Sequence, residues 1–408
     1  MRILLRTDID SPSGYSVHAR QLVQSLLLIK EVDLKIECRK HDSSTIPFGD
    51  AEAEMYRALQ SKEWVKPDIL IHFETPEFYE PLDDCYNIGF TMWETSRIPS
   101  TDMDGQPRLN WVHQMNRMDE IWTAAQDAKQ AFAASGVESD VTVFNGPVDT
   151  NFYRPDLEEL PIRGLTVDAT GEPIPREKRP FIIGFMGQWT KRKNIEDWLI
   201  WLMSQYKKNT VVGMLKTYGS HLDQDQVTQV HQRIGMIRQS IRSEVEGAGI
   251  NLITNKLTDE QIARWFQTPD MYVSFSRGEG FALPAVQAMA SECVTAHTSW
   301  GGPRDYIDHE KSGYLLPATL EPVTGMAYNP WYRADQWWAR VDMAAATKVV
   351  ADAMVMKKED PDTWRTMQQE GRKAVIAKCS VPAIAEQLAK RLAELYDENL
   401  VRNTAASE

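Results

Sequence analysis

The densest chemistry in this 408-residue sequence lies in Ser276-Arg277-Gly278-Glu279-Gly280-Phe281-Ala282-Leu283-Pro284, with Gln287 just beyond it. Glycines at 278 and 280 let the backbone come close to a ligand. Pro284 suits the first turn of a helix, where a missing N–H costs nothing. Amides at such a helix start, from Gly280 through Phe281 and Ala282 to Leu283, would face an anion such as a diphosphate. Glu279 sits on the loop and can accept hydrogen bonds from hydroxyl groups. Gln287, eight residues on, falls in the first turns of the helix, where it could reach a ribose. On glycine spacing alone, the stretch equally fits a plain strand–loop–helix connection with a solvated glutamate. Lys216, with Thr217, and Asn255, in the turn Thr254-Asn255-Lys256, follow predicted strands. Strand ends of that kind line bound nucleotides. Glu94 also follows a buried strand, where a carboxylate would orient or deprotonate a hydroxyl. The plainer reading is a solvated carboxylate or a pair with Arg97.

These side chains need a scaffold, and the chain alternates strand and helix. Ile3-Leu5 reads as a short buried strand, then a polar turn through Pro12 and Gly14 leads to a helix from Ser16 to Leu28. Val17, Leu22, Val23, Leu26 and Leu27 recur there with helical period. His18 on that helix is either a cleft residue or amphipathic surface. Leu34-Cys38, Pro67-Phe73, Asn87-Met92, Glu120-Thr123 and Val141-Phe144 read as further strands. The alternation restarts at Phe181-Met186 and runs through helices at Ile195-Met203, Gln224-Glu244, Asp259-Phe266 and Pro284-Met289. Strands at Val211-Leu215, Ile250-Ile253, Met271-Ser274, Val294-Ala296 and Tyr314-Leu316 fall between and after them. The part from Ala334 onward reads as mostly helical. Alternation of this kind predicts parallel sheets covered on both faces. The expected fold class is therefore α/β with two Rossmann-like domains facing across a cleft, the active site between them, and a helical C-terminal tail. The expected boundaries are 1–150, a Pro-rich linker at 151–180, a second domain at 181–378, and a last helix at 379–408 that packs back on the first domain.

Composition narrows the choice of partner. Hydrophobic content of 42% and charged content of 25% are those of an ordinary globular protein. A net charge of −13 gives no general attraction to phosphate backbones or anionic membranes. The four cysteines lie far apart, which suits reduced thiols in a cytoplasmic protein. The N-terminus does not read as a signal peptide. No stretch approaches the roughly 20 apolar residues of a transmembrane helix. Eight scattered histidines form no HxxH or HExxH pair, so no metal site is expected.

Taken together, the motifs resemble glycosyltransferase family 4, whose members have the glycosyltransferase-B fold. Residues 276–290 resemble its E-x7-E region. Gly187-Gln188-Trp189-Thr190-Lys191-Arg192-Lys193-Asn194 resembles its Arg/Lys loop. Leu257-Thr258-Asp259-Glu260 and Pro269-Asp270-Met271-Tyr272-Val273-Ser274 look like the approach to the E-x7-E site. Gly301-Gly302-Pro303-Arg304-Asp305-Tyr306-Ile307 and Gly313-Tyr314-Leu315 look like its exit. Asn145-Gly146-Pro147-Val148-Asp149 resembles the hinge signature, and Gly89-Phe90-Thr91-Met92-Trp93-Glu94-Thr95 a segment of one branch. These matches run in the family's order through most of residues 1–320.

The resemblance implies a retaining, metal-independent transferase that moves a hexosyl or pentosyl group from a nucleotide-diphosphate sugar, for example a UDP- or GDP-sugar. It uses no cofactor. Arg192 and Lys193 would hold the diphosphate, and Glu279 would touch hydroxyls of the transferred sugar. Gly14 and Tyr15 would belong to a glycine-containing loop facing the donor phosphates; the residues alone also fit an ordinary serine-capped helix start. Glu94 stands near the place where the family often has a histidine. Two departures stand out: Gln287 replaces the usual ribose-binding glutamate, and Gln188 stands where an arginine is common. Acceptors compatible with this reading are a glycan, a lipid-linked sugar, a small molecule, or hydroxymethylated pyrimidines in DNA, as in phage enzymes of this fold. A catalytically weak sugar-nucleotide-binding protein is the alternative of another class.

Overall fold

The structure, a computed structural model, describes residues 1–11, 13–39, 48–63, 66–102, 105–218, 224–241, 246–326 and 329–405. It divides into two units, Met1–Asp149 with Ala377–Glu408, and Thr150–Ile376. Pro12 of the first turn and the last residues of the helix expected to reach Glu244 lie outside the described residues.

In the first unit β1 (Arg2–Thr7), α1 (Gly14–Leu27), β2 (Asp33–Cys38), α2 (Asp50–Gln60), β3 (Ile69–Phe73) and β4 (Tyr86–Phe90) come first. They are followed by α3 (Trp111–Met115), β5 (Glu120–Thr123), α4 (Gln126–Ser135) and β6 (Asp140–Val143). The six strands form one parallel sheet in the order β2-β1-β3-β4-β5-β6. β3, Ile-Leu-Ile-His-Phe, is buried along its whole length, as a strand covered on both faces must be. α1 turns Ala19, Leu22, Val23 and Leu26 into the core at helical spacing. Its start is capped by Ser13, whose Oγ accepts the Ser16 amide at 3.1 Å. His18 is not a surface residue. It is buried, 4.9 Å from the Phe73 ring and 5.7 Å from Phe90, and burial pushes its pKa down to about 3.

The second unit holds β7 (Phe181–Gln188), α5 (Ile195–Gln205), β8 (Val211–Tyr218), α6 (Gln224–Ser240), β9 (Gly249–Ile253), α7 (Asp259–Trp265) and β10 (Met271–Ser274). It continues with α8 (Leu283–Ala290), β11 (Val294–Thr298), α9 (Pro303–Tyr306), β12 (Tyr314–Leu316), β13 (Ala318–Pro322), β14 (Trp337–Val341), α10 (Met343–Glu359) and α11 (Pro361–Cys379), whose last residues lie in the first unit. The parallel sheet runs β12-β11-β10-β7-β8-β9. Numbered within the unit, that is the 3-2-1-4-5-6 order of dinucleotide-binding folds, which reverses direction between β7 and β10. Trp198, Trp201, Trp265 and Trp338 are fully buried, while Trp337 is 43% exposed. The Pro-rich stretch from Thr150 to Pro180 belongs to this unit. Side chains of α7 and its end bond two of its carbonyls: Arg264 Nε donates to that of Glu158 at 3.2 Å and Gln267 Nε2 to that of Arg154 at 2.9 Å.

α12 (Val381–Ala405) returns to the first unit. Ile384, Ala385, Leu388, Leu392 and Leu395 join the core of α1 and the sheet. The carboxylate of Glu120, fully buried at the start of β5, receives Arg391 of α12 at 3.0 Å, Trp122 Nε1 at 2.9 Å, and the hydroxyls of Thr142 and Tyr86.

Three elements differ from the sequence reading. α2 is an added helix. The region after Ala334, expected to be helical, opens with strand β14, which pairs antiparallel with β13. β8 runs on to Tyr218, so Lys216 and Thr217 lie within the strand rather than beyond it. No helix among the described residues is long and apolar enough to cross a membrane.

Candidate active site

Ligands of open parallel sheets bind outside the carboxyl ends of the strands, where strand order reverses. In the second unit that point lies between β7 and β10, and the loops leaving these strands carry Arg192-Lys193 and Glu279. The structure brings these three residues together. Lys193 Nζ donates to Glu279 Oε1 at 2.6 Å, and Arg192 Nη1 to Glu279 Oε2 at 3.1 Å. Arg192 Nη1 also donates to the Gly278 carbonyl at 2.8 Å, and Ser276 Oγ to Glu279 Oε1 at 2.6 Å.

Electrostatics follow from this packing. Glu279 is 7% exposed, and burial alone would raise its pKa. The charges of Lys193 and then Arg192 outweigh burial and hold it at about 2. His297 on β11 is buried, its Nδ1 3.1 Å from the Thr298 carbonyl, and desolvation pushes it down to about 4, so it is neutral near pH 7. The cluster therefore holds two cations against one carboxylate. That surplus of positive charge in a poorly hydrated place suits a polyanion.

The loop from Gly280 to Leu283 is fixed from behind. Gly302 N–H donates to the Glu279 carbonyl at 2.9 Å, and the Tyr306 hydroxyl to the Phe281 carbonyl at 3.0 Å. Gly301 has φ +76°, and a Cβ there would run into the Glu279 carbonyl. Ala282, the residue before α8, is held at φ +65° and ψ +56°. No side chain caps α8; within its first turn the Ala285 and Val286 amides donate to the Ala282 carbonyl at 2.9 and 3.3 Å, and Pro284 has no N–H. Gln287 is 4% exposed on α8.

Lys216 is 6% exposed on β8, 5.2 Å from the Tyr218 ring centre, and burial pushes its pKa down to about 8. Among the described residues it has no carboxylate partner. Asn255 lies in an exposed bend after β9 and donates to the Lys256 carbonyl at 3.3 Å.

Gly14, Tyr15 and Glu94 belong to the first unit. Gly14 opens α1 and has no neighbour within 4 Å of a Cβ position. The Tyr15 hydroxyl accepts the Met92 amide and pairs with Thr91 Oγ1, each at 3.1 Å, so it ties α1 to the segment after β4. Desolvation raises it to about 12. Glu94 is half-buried in that segment.

Two residues escaped the sequence reading. Glu74 is buried directly after β3, its Oε2 4.0 Å from His72 Nδ1, and burial raises its carboxyl to about 8. It stands where the first sheet reverses order, between β1 and β3, and the strand-end argument applied to Glu94 would have found it. Arg277, inside the quoted motif, is the other.

A cavity of about 590 Å³ lies elsewhere, along β2 beside Asp10, Lys35, Glu37 and Cys38. Asp8, Asp10 and Cys38 place possible ligand atoms within 4.8 Å of one another there. Asp8 Oδ1 is already engaged by the amides of Asp10 and Ser11, at 3.1 and 3.3 Å.

Residues 180–323 match the family described as "Glycosyl transferases group 1". Among curated proteins, sucrose synthase 3 of Arabidopsis thaliana is 22% identical over 258 residues, 61% of this chain and 27% of that protein. Sucrose synthase of Solanum tuberosum is 23% identical over 284 residues, 68% of this chain and 31% of that protein. The chain thus spans less than a third of the length of these relatives. Among solved structures, a sucrose-phosphate synthase from Thermosynechococcus elongatus aligns with a TM-score of 0.64 and 14% identity, covering 98% of this chain and 100% of that one. HepE of Anabaena, in complex with UDP and glucose, aligns with a TM-score of 0.60 and 14% identity, covering 97% and 100%. The chain therefore has the glycosyltransferase-B fold, and its residues 180–323 are similar to the Glycosyl transferases group 1 family.

Proposed function

We propose that the protein is a metal-independent, retaining glycosyltransferase that moves a sugar from a nucleotide-diphosphate sugar to an acceptor hydroxyl. The observation that carries this reading is the meeting of Arg192, Lys193 and Glu279 at the switch point of the second sheet. Without a donor, Glu279 offsets one of the two positive charges and keeps both side chains aimed. With a donor, the diphosphate takes up their charge, and Glu279 accepts from hydroxyls of the sugar. The bond from the anomeric carbon to the diphosphate oxygen breaks as charge grows on that oxygen, and Arg192, Lys193 and the amides of Gly280–Leu283 stabilise it there. The acceptor oxygen attacks from the same face, which preserves configuration. Glu94 is assigned to orient or deprotonate the acceptor, and Gly14 and Tyr15 to the edge of the donor site. Lys216 and Asn255 are assigned to the nucleotide, and Gln287 to its ribose, where an amide replaces a stronger carboxylate acceptor.

HepE is described with UDP and with UDP-glucose, so uridine sugars are the first donors to test. The acceptor is a glycan, a lipid-linked sugar or a small molecule; hydroxymethylated DNA is the competing acceptor. The decisive assay follows release of free nucleoside diphosphate from UDP-, GDP- and ADP-sugars, with and without acceptors. Release that is acceptor-dependent and lost in Lys193→Ala supports the reading. Tight donor binding without release under any acceptor supports the binding-protein alternative, which Gln287 favours.

A further inference from the structure

Arg277 lies two residues before Glu279 and is 3% exposed. Its Nη1 donates to the Lys191 carbonyl at 2.8 Å, its Nη2 to Asp197 Oδ2 at 3.1 Å, and its Nε to Glu321 Oε1 at 2.7 Å. The guanidinium also lies 5.8 Å from the Trp338 ring centre. The backbone adds two bonds. Arg277 N–H donates to the Arg192 carbonyl at 2.7 Å, and the Arg277 carbonyl accepts the Ala339 amide at 2.9 Å. One residue thus grips the carbonyls of two successive residues in the Arg192-Lys193 turn and joins them to the strand end that leads into Glu279.

The far side of this grip is the β13–β14 hairpin, which supplies Glu321, Trp338 and Ala339. Beyond β13, Gly325 has φ +78°, and a Cβ there would stand 3.1 Å from Lys191 Cγ. The hairpin therefore touches the turn directly as well as through Arg277. Neutralising a buried arginine with two carboxylates brings no large gain in stability over well-packed apolar groups. What a planar, fully bonded fork does provide is fixed direction.

We propose that Arg277 is a positioning residue, and that it and the hairpin form a clamp setting where Arg192 and Lys193 stand relative to Glu279. The inference rests on the reading of that cluster as the site of the donor diphosphate. Small displacements of groups that meet a transition state weaken catalysis steeply, so the clamp belongs to the donor site although it touches no substrate.

The test uses the full chain, with affinity for UDP, GDP and ADP measured by calorimetry and donor KM and kcat measured by nucleotide release. The variants are Arg277→Lys, Glu321→Gln, Glu321→Asp and Lys193→Ala. Glu321 is partly exposed, so its variants test the clamp even where Arg277→Lys does not fold. The clamp predicts that Glu321→Gln and Arg277→Lys weaken the nucleotide and raise donor KM by about tenfold, the equivalent of losing part of one charged hydrogen bond. The thermal midpoint of the partly exposed Glu321→Gln stays near that of the wild type, and Glu321→Asp recovers part of the loss. If Lys193→Ala loses the nucleotide while folded Glu321→Gln binds like the wild type, the clamp is wrong and the donor site stands. If the wild type binds none of the three nucleotides, the donor site is wrong and the clamp falls with it.

Discussion

The charge pattern around Glu279 makes separate predictions for three side chains. Lys193→Ala removes one of two cations facing the leaving group, and turnover should fall by about 10²–10³-fold with the circular-dichroism spectrum unchanged. Retained turnover would end the assignment. Glu279 has a folded pKa below its ordinary value, so its ion pairs stabilise fully above that value, and the contribution is lost as pH falls toward about 2. Acid unfolding of Glu279→Gln should therefore show a shallower slope below about pH 4. Lys216 carries the opposite burden. Its folded pKa of about 8 lies below the 10.5 of an exposed lysine, so the unfolded chain binds more protons between those values and stability rises with pH through that window. Lys216→Met should raise the thermal midpoint at pH 7, by about 1–3 kcal/mol in stability, and flatten that rise. The same change should weaken nucleotide binding if the lysine faces the donor. Arg192 and Lys193 were singled out by the resemblance of residues 187–194 to the family's Arg/Lys loop, and Glu279 by its glycine-bearing loop together with that resemblance. Arg277 was not, since its role comes from Asp197, Glu321 and Trp338, which only the folded chain brings near.

The element that best shows what sequence patterns carry is the loop before α8. Its glycines, Pro284 and the strand ahead of it fix a tight strand-to-helix passage, and the structure has one. Gly301 completes it from another loop. Gly301→Ala would force a left-handed backbone on alanine and push against the Glu279 carbonyl. The expected cost is about 1–3 kcal/mol, with donor KM raised, and thermal unfolding together with nucleotide titration would detect both. The β13–β14 hairpin was not legible. Trp337-Trp338-Ala339-Arg340-Val341 lacks the alternation of a half-buried strand, because Trp338 and Ala339 are both buried, the latter against Arg277. α2 escaped for a different reason: only Tyr56 and Leu59 are buried, too thin a stripe to set a period.

For the whole molecule, the alternation of strands and helices was enough to give two parallel sheets, and the apolar rows of the strands set each core. The returning helix α12 adds one buried charge pair, Arg391 with Glu120, to its apolar contacts. Glu120→Ala would leave Arg391 without its main acceptor and open a polar hole under Trp122, at a cost of about 3–5 kcal/mol. Calorimetry should show the loss in the melting of the first unit, and an unchanged transition would mean that apolar packing alone secures α12. Net charge also bears on the acceptor: a salt-sensitive shift on modified DNA would support the DNA acceptor, and no shift even at low salt would argue against it. Because the first unit is assembled from Met1–Asp149 and a segment beginning at Ala377, the ribosome makes its sheet long before the helix that covers it. At ordinary elongation rates the wait is on the order of tens of seconds. During that interval the surface awaiting Leu388 and Leu395 stays bare in the nascent chain, which makes the half synthesised earliest the one most in need of a chaperone.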